Sequence, residues 1–314
     1  MKICVIVPCY NEGDVLRQLY QSLSSILTII GYEYELLFVN DGSDDNTLIQ
    51  LKTLSEADHH ITYLSLSRNF GKEAAMYAGF CNADADYVAV MDADLQDPPE
   101  LLPEMIRILE SEEYDCVATR RVTRKGEPFI RSVLAKGFYK LINAISDTSI
   151  VEGARDFRLM ERQMVDAIVA MSETNRFSKG IFAWIGFRTY WIEYDNIQRA
   201  AGKTKWNLWS LTKYAFSGIV DFSEIPLSFA SWIGFLMTII SFVFLILIVV
   251  RRLIFGDPVA GWASTICVII FIGGIQLFCL GMIGQYIARN YTESKRRPHF
   301  IISETNKLTA VKIK

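Results

Sequence analysis

Acidic and amide side chains alternate in the segment Asp92-Ala93-Asp94-Leu95-Gln96. In an extended chain, alternate side chains point to the same face, so Asp92, Asp94 and Gln96 are predicted to converge. Two carboxylates and an amide oxygen are hard ligands, and they suit Mg²⁺ or Mn²⁺ that keeps open positions for water and phosphate oxygens. Converging carboxylates repel one another unless a cation neutralises them. The segment is therefore a candidate metal centre, although acidic turns after strands also occur without a metal.

Two other polar clusters follow apolar segments of the chain. Residues 3–8 lead into Tyr10-Asn11-Glu12, and residues 34–40 lead into Asp41-Gly42-Ser43-Asp44. The sequence contains neither Gly-x-Gly-x-x-Gly nor Gly-x-x-x-x-Gly-Lys-Ser/Thr, which argues against a dinucleotide site or a P-loop. The second acidic cluster strengthens the metal interpretation and predicts a metal-chelated nucleoside diphosphate as the ligand.

The segments between these clusters predict how the clusters are brought together. Apolar runs of strand length alternate with segments of helical pattern. The predicted strands are 3–8, 34–40, 61–67 and 87–91, and the predicted helices are 14–30, 47–55 and 71–80. This alternation predicts an α/β domain with a mostly parallel sheet, whose ligands bind beyond the carboxyl ends of the strands.

The composition excludes several classes of protein. Of the 314 residues, 51% are hydrophobic and 21% are charged, which is too apolar for a disordered chain. The balance of 32 basic and 35 acidic residues argues against bulk nucleic-acid binding. With three histidines, His-rich metal sites and Ser-His-Asp catalysis are nearly excluded. Six cysteines without Cys-x-x-Cys spacing predict free thiols in a reducing compartment.

Two long segments near the C-terminus carry no charge, namely residues 226–250 and residues 262–288. Both exceed the ~20 apolar residues that a helix needs to cross a bilayer, so two transmembrane helices are predicted. Segment 203–225 has aromatic residues among lysines. It predicts a helix in the membrane interface, with an amphipathic helix on the domain surface as the alternative.

These segments define the predicted domain organisation. It comprises a cytoplasmic α/β domain (1–202), the interfacial region (203–225), two spans (226–250 and 262–288) joined by an external loop (251–261), and a cytoplasmic tail (289–314). The N-terminal segment lacks the pattern of a signal peptide, and an even number of spans places the tail on the side of the domain. Basic residues beside the spans favour the cytoplasm for that side. Glycines in the second span allow close helix contact, so a homo-oligomer is also expected.

Four motifs in order along the chain carry a resemblance to a known family. They are Ile-Val-Pro-Cys-Tyr-Asn-Glu (6–12), Phe-Val-Asn-Asp-Gly-Ser-Asp-Asp (38–45), Leu-Ser-Arg-Asn-Phe-Gly-Lys-Glu (66–73) and Met-Asp-Ala-Asp-Leu-Gln-Asp-Pro-Pro (91–99). With Asp-Phe-Arg-Leu-Met (156–160) and the paired spans, they resemble the polyprenyl-phosphate glycosyltransferases of family 2, which have a GT-A domain. The chain looks most similar to bactoprenol glucosyltransferases and also resembles dolichyl-phosphate mannose synthase.

The resemblance implies a reaction and its participants. A sugar passes with inversion from a nucleotide to undecaprenyl (polyprenyl) phosphate, giving a lipid-linked sugar for the cell envelope. UDP-glucose is the favoured donor, and UDP-GlcNAc and GDP-mannose are the alternatives. Mg²⁺ or Mn²⁺ is the implied cofactor and the bacterial inner membrane the implied location. A flippase and a second glycosyltransferase are the implied downstream partners.

The same resemblance implies roles for individual residues. The donor-nucleotide residues are Pro8, Tyr10, Glu12, Asp41 and Asp92. The metal ligands are Asp94 and Gln96, together with Asp92. Asp156 lies at the acceptor, either as a general base or as a positioning group. The residues implied for the lipid phosphate or the diphosphate are Arg131, Ser132, Arg199 and Lys205. Arg155 stands where family members often have glycine, which leaves the geometry around Asp156 open.

Three alternatives stay open at this point. The basic cluster of residues 120–125 is either a further set of phosphate ligands or a loop that faces lipid headgroups. A processive polysaccharide synthase would carry Gln-x-x-Arg-Trp, but this chain has Gln198-Arg199-Ala200-Ala201 and too few spans to enclose a polymer. A non-catalytic sensor of nucleotide sugars would tolerate the loss of acidic ligands, whereas every expected acidic position is present here.

Overall fold

The computed structural model describes residues 1–122, 151–195 and 261–314, and isolated positions between 232 and 254. The chain divides into two compact units. One comprises Met1–Gly218 together with Arg297–Lys314, and the other comprises Ile219–Arg296. The predicted site residues that fall in the described part of the chain all belong to the first unit.

The first unit contains an eight-stranded sheet. Its strands are β1 (Lys2–Cys9), β2 (Glu33–Asn40), β3 (Ile61–Leu66), β4 (Tyr87–Val90), β5 (Cys116–Arg121), β6 (Ala154–Glu161), β7 (Thr189–Tyr194) and β8 (Ile302–Thr305). Their order across the sheet is β7-β5-β6-β4-β1-β2-β3-β8. Strands β3, β2, β1 and β4 are mutually parallel neighbours, and β5 pairs in parallel with β7. The predicted α/β class with a mostly parallel sheet is confirmed.

The helices of this unit cover the sheet. They are α1 (Gly13–Ile30), α2 (Thr47–Ala57), α3 (Lys72–Asn82), α4 (Leu102–Leu109), α5 (Arg162–Ala170) and α6 (Ser178–Trp184), and a 3₁₀ turn (Pro99–Leu101) precedes α4. Helix α1 shows why the sequence folds in this way, because Leu16, Leu19, Leu23 and Leu27 recur at helical spacing and are all buried. It ends at Gly31, whose φ of 78° is the left-handed conformation that caps many helices.

The centre of the sheet is apolar on both faces. Every residue from Ile3 to Val7 in β1 and from Leu36 to Val39 in β2 is buried, as expected for parallel strands between two layers of helices. Pro8 lies in β1 beyond Ile6, the last residue that pairs with β4, so its missing N–H interrupts no bond to that strand. The buried core thereby extends to the carboxyl ends of β1 and β2.

The C-terminal segment belongs to the sheet, which the sequence analysis did not predict. Strand β8 pairs antiparallel with β3 and covers its edge. The side chain of Asn306 bonds to the backbone of Tyr63 and Ile61 at 2.8 and 2.9 Å, and Lys307 pairs with Glu35 at 2.6 Å. Part of the predicted tail 289–314 is therefore the edge strand of the sheet.

The second unit contains a long apolar helix, α7 (Trp262–Ser294). Among the described residues, one helical segment, Phe271–Ser294, is long and apolar enough to cross a membrane. It overlaps the predicted span 262–288 and continues six residues beyond it. The predicted span 226–250 lies largely outside the described residues. The predicted interfacial region 203–225 lies wholly outside them.

Candidate functional site

The strand order locates the candidate site at one edge of the sheet. The chain adds β2 and β3 on one side of β1, whereas β4 lies on the other side, so the order reverses between β1 and β4. Ligands of open α/β sheets bind beyond the carboxyl ends of the strands at such a reversal. The polar clusters after β1, β2 and β4 meet at this edge.

The loops after β1 and β2 are joined by hydrogen bonds between side chains and backbone. The N–H of Asn11 donates to Ser43 Oγ at 2.9 Å, and the N–H of Asp44 donates to Asn11 Oδ1 at 2.9 Å. The N–H of Glu12 donates to Thr47 Oγ1 at 3.0 Å. Asn11 has a φ of 55°, a left-handed conformation that asparagine tolerates better than most residues. Tyr10 and Glu12, predicted for the donor site, are thereby half-buried in a fixed loop.

Asp41 fixes a third loop at the same edge. Its two carboxylate oxygens accept the N–H groups of Phe70 and Gly71 at 2.7 and 2.9 Å, and the residue is 3% exposed. Burial raises the pKa of the Asp41 carboxyl group, against the lowering effect of these two bonds. The following residue, Gly42, has a φ of 64°, and a Cβ atom there would lie 2.4 Å from the backbone carbon of Arg68. The sequence Asp41-Gly42 therefore holds the loop that leads into α3.

The acidic segment after β4 turns sharply. Leu95 has a φ of 56°, and the N–H of Gln96 donates to Asp94 Oδ1 at 3.2 Å. The extended backbone assumed from the alternation is therefore wrong at Leu95, where the chain turns between Asp94 and Gln96. Both are half-buried, and their carboxylate and amide oxygens fit a hard divalent cation.

Asp92 and Asp156 are joined by a lysine. Lys72, the first residue of α3, places Nζ 2.6 Å from Asp92 Oδ1, and Nζ also contacts Asp156 Oδ2. Burial opposes the charge on Lys72, but the two carboxylates outweigh it and hold the pKa of Lys72 above its ordinary value. Burial alone would raise the pKa of Asp156, yet the ammonium of Lys72 holds it well below its usual range. Asp156 is therefore ionised at neutral pH.

Arg155 lies on the other side of Asp92. Its Nη2 is 3.6 Å from Asp92 Oδ2, and its Nε donates to Asp97 Oδ1 at 2.9 Å. Asp97 is fully buried and also accepts a hydrogen bond from the Tyr194 hydroxyl at 2.8 Å. Burial raises the pKa of Asp97, and the guanidinium of Arg155 opposes that rise. Arg155 therefore lies between two carboxylates, Asp92 on one side and Asp97 on the other.

A further carboxylate, which is half-buried, follows Lys72 in the chain. Glu73 accepts the N–H of Ser178 at 3.0 Å through Oε2, which also contacts the Ser178 hydroxyl. Burial, with the nearby charge of Asp156, raises the pKa of Glu73 to about 7. Helix α3 thus begins with two charged side chains in the site, while Ala75–Phe80 are all buried.

Eight of the twelve predicted site residues fall in the part of the chain that the structure describes. Asp92 and Asp156 meet through Lys72, and Asp94 and Gln96 lie on the turn that follows Asp92. The predicted phosphate ligands Arg131, Ser132, Arg199 and Lys205 lie outside the described residues, as do Arg124 and Lys125 of the basic cluster.

Four residues of the site had no role in the sequence analysis, namely Lys72, Glu73, Asp97 and Ser178. The signal for two of them was present, because Lys72 and Glu73 are charged residues at the start of an otherwise apolar helical segment. Asp97 and Ser178 had no comparable signal in the sequence, because their partners, Arg155 and Glu73, lie 58 and 105 residues away in the chain.

The sequence has clear relatives. It is 44% identical over 304 residues to the putative glycosyltransferase CsbB of Bacillus subtilis, covering 97% of this chain and 92% of that protein. It is 40% identical over 302 residues to the bactoprenol glucosyl transferase of Shigella phage SfV, covering 96% and 98%. Among solved structures, glucosyl-3-phosphoglycerate synthase of Mycobacterium tuberculosis aligns with a TM-score of 0.48 at 16% identity, covering 70% of this chain and 79% of that one.

The family assignment agrees with the position of the site. Residues 4–169 match glycosyl transferase family 2, and this range contains most of β1, the whole of β2 to β6 and every charged residue of the cluster around Asp92. The GT-A domain expected from the resemblance is the α/β domain that the structure contains. The chain belongs to glycosyltransferase family 2.

Proposed function

We propose that this enzyme transfers glucose from UDP-glucose to a polyprenyl phosphate at the cytoplasmic face of the bacterial inner membrane, with inversion at the sugar. The observation that carries the proposal is the 39–40% identity, over 96–98% of the chain, to proteins named bactoprenol glucosyl transferases. Their similarity extends through the apolar C-terminal segments as well as the catalytic domain. The acidic site at the sheet edge supplies the chemistry that such a transfer needs.

The donor binds in this proposal at the carboxyl ends of β1, β2 and β4. Pro8, Tyr10 and Glu12 line one wall. Asp41 acts on the pocket through the loop that it holds at Phe70 and Gly71. Asp92 contacts the donor with a carboxylate that is held by cations on both sides. The loops are fixed by hydrogen bonds, so the pocket is largely formed before a ligand arrives.

A divalent cation, Mg²⁺ or Mn²⁺, is held in this proposal by Asp94 and Gln96, with Asp92 as the neighbouring carboxylate. When bound, such an ion stabilises the negative charge that grows on the departing diphosphate. Asp94 and Gln96 come from one turn and carry the oxygen ligands that these ions prefer. Asp92 is already neutralised by Lys72 and Arg155, which makes Asp94 the principal ligand.

The acceptor side requires little proton transfer. A phosphate monoester is largely ionised near neutral pH, so its oxygen attacks without first losing a proton to the protein. Asp156 is bound to Lys72 and is better suited to positioning than to accepting a proton. Arg131, Ser132, Arg199 and Lys205 remain the proposed phosphate ligands, because anionic reactants approach one another only where cations neutralise them.

The path of the chain supports a membrane protein that crosses twice. Residues 297–314 belong to the catalytic unit, and strand β8 pairs with β3 of that unit. A chain that leaves the catalytic unit and returns to it crosses a bilayer an even number of times. If α7 crosses once, a second crossing is needed between residues 196 and 261, and the uncharged segment 226–250 is long enough to provide it.

The proposal is tested with membranes that contain the expressed protein, undecaprenyl phosphate and a panel of radiolabelled nucleotide sugars. Label is expected to enter the lipid extract from UDP-glucose, to require Mg²⁺ or Mn²⁺, and to disappear with EDTA. Asp94→Ala is expected to abolish transfer, whereas Asp84→Ala, at an exposed aspartate before β4, leaves it unchanged.

Each result of this panel has a definite meaning. Transfer from UDP-GlcNAc or GDP-mannose alone would replace the proposed donor and keep the proposed acceptor. Transfer that survives both EDTA and Asp94→Ala would overturn the metal-dependent mechanism. Absence of lipid labelling from every donor would overturn the polyprenyl phosphate acceptor.

A further inference from the structure

One ammonium group connects the two halves of the candidate site. Lys72 Nζ contacts Asp92, which follows β4 on the donor side, and Asp156, which lies in β6 on the acceptor side. Strands β4 and β6 are antiparallel neighbours paired as far as Val90 and Arg158, so Asp92 and Asp156 each lie two residues beyond the last pair, at one edge of the sheet. Two carboxylates that contact the same ammonium group are close enough to repel each other, and the cation between them removes the repulsion.

Lys72 is placed by a loop that the protein holds firmly. Gly71, directly before it, has a φ of 96°, and its N–H is bound by Asp41. The backbone of Arg68 packs against Gly42, and the N–H of Ser67 donates to the carbonyl of Ile301 at 2.9 Å. A lysine side chain loses conformational entropy when it is immobilised. Because the loop holds the backbone before Lys72 in place, fewer positions are open to its ammonium group.

The contact belongs to a longer chain of alternating charges. The order is Asp97, Arg155, Asp92, Lys72 and Asp156, in which each cation lies between two anions. Asp92 directs Oδ1 to Lys72 and Oδ2 to Arg155, so each of its oxygens faces a different cation. Removal of Lys72 therefore affects both aspartates at once, whereas removal of either aspartate leaves the other paired.

We infer that Lys72 is a positioning residue of the transfer reaction, whose ammonium sets the separation between Asp92 at the donor and Asp156 at the acceptor. The inference rests on the proposed function, in which donor and acceptor meet between these two carboxylates. In this inference, the main role of the Asp156 carboxylate is to bind the Lys72 ammonium. Small displacements of positioned groups cost up to about a hundredfold in rate, so loss of the bridge is expected to reduce kcat.

The test uses the full-length protein in membranes and compares Lys72→Met, Lys72→Arg, Asp156→Asn and the double variant Lys72→Met/Asp156→Asn. Lys72→Met is expected to lower kcat by about 10- to 100-fold. Because Asp156 acts through Lys72, the double variant is expected to match Lys72→Met within about twofold. Lys72→Arg, which restores a cation with several donors, is expected to be at least about tenfold more active than Lys72→Met.

A surface lysine provides the matched control. Lys52 pairs with Glu304 at 2.6 Å on the surface of the domain, so Lys52→Met removes an ion pair of the same type away from the site. It is expected to change kcat by less than about twofold, because neither Lys52 nor Glu304 belongs to the candidate site. A kcat for Lys72→Met within about twofold of the unmodified protein would overturn the inference, as would independent, multiplying effects of Lys72→Met and Asp156→Asn.

A second measurement separates this inference from the proposed function. The same four variants are compared by thermal unfolding of the detergent-solubilised protein, which needs no substrate. The bridge predicts that the destabilising effects of Lys72→Met and Asp156→Asn do not add. Additive effects would overturn the inference even if no donor supported transfer. Failure of the unmodified protein to label lipid would count against the proposed function alone.

Discussion

Arg155 donates from Nε to Asp97 Oδ1 over 2.9 Å, and the carboxylate that it binds is fully buried. A glycine at position 155 would leave this carboxylate without its cation. The arginine also reaches towards Asp92 at 3.6 Å. Arg155 therefore pairs with a buried anion and also lies beside the first aspartate of the acidic motif.

Replacement of Arg155 by alanine should destabilise the protein strongly. The change leaves Asp97 buried without its cation, and breaking one side of a buried ion pair typically costs about 3–5 kcal/mol. Thermal or denaturant unfolding of the solubilised protein measures the loss. The control is Arg188→Ala, which breaks an exposed pair with Asp115 and should cost far less. Equal losses in the two variants would contradict the buried pair.

Gly42 and Gly31 form a matched pair of glycines with positive φ. A Cβ atom at Gly42 would lie 2.4 Å from backbone of the loop at Arg68, whereas at Gly31 it would meet no atom within 4 Å. Gly31→Ala should therefore cost only the left-handed strain of about 1–2 kcal/mol. Gly42→Ala adds a backbone clash and should cost more, and it should also lower donor affinity by displacing the loop that carries Lys72. Unfolding measurements and donor KM check the two effects, and equal stabilities would refute the close approach.

Glu73 should make the stability of the protein depend on pH. Its pKa is raised from 4.5 to about 7 in the folded state, so the folded protein binds a proton more tightly than the unfolded chain does. Between these values the folded state holds more protons, and stability therefore falls as the pH rises from about 4.5 to about 7. Glu73→Gln keeps an oxygen that accepts from Ser178 and should remove this decline.

The decline is measured as the unfolding midpoint across the pH range for the unmodified protein and the variant. Glu104→Gln, at an exposed position of α4, serves as the control and should retain the slope of the unmodified protein. A slope that persists in Glu73→Gln would assign the pH dependence to other groups.

The edge strand β8 should depend on Asn306. The side chain of Asn306 accepts from the N–H of Tyr63 and donates to the carbonyl of Ile61, and Asn306→Ala leaves both without this partner. The loss should cost about 1–3 kcal/mol and increase amide exchange in residues 302–305. Ser303→Ala, which removes one bond to Ser65, should have a smaller effect of about 0.5–1.5 kcal/mol. Unchanged exchange in Asn306→Ala would contradict the attachment of β8.

The sequence predicted the central strands and helices because their signals are local. The apolar runs at 3–8 and 34–40 match β1 and β2 within two residues, since strands buried on both faces require continuous apolar sequence. Strand β8 gave no such signal. Its sequence Ile-Ser-Glu-Thr is polar and short, and it becomes a strand because β3 offers an unpaired edge.

The sequence predicted which types of residue form the candidate site better than it predicted their geometry. The acidic motif at Asp92 and the separate position of Asp156 are visible in the sequence. The link through Lys72 is not, because it joins residues 84 positions apart in the chain. The turn at Leu95 was also missed, since a left-handed conformation at leucine has no compositional signature.

The position of β8 after α7 has a consequence for biosynthesis. The edge of β3 is completed by residues 302–305, which leave the ribosome after the whole of the apolar helix 262–294. Until then the nascent catalytic domain exposes the unpaired N–H and C=O groups of β3, a surface prone to association with other strands. Closing a contact over more than 230 residues is also slow, because distant segments must find each other. Translation of the hydrophobic segment therefore precedes the pairing of β8 with β3. A prematurely terminated chain would carry an incomplete sheet with an unpaired, aggregation-prone edge, which cellular quality control can recognise.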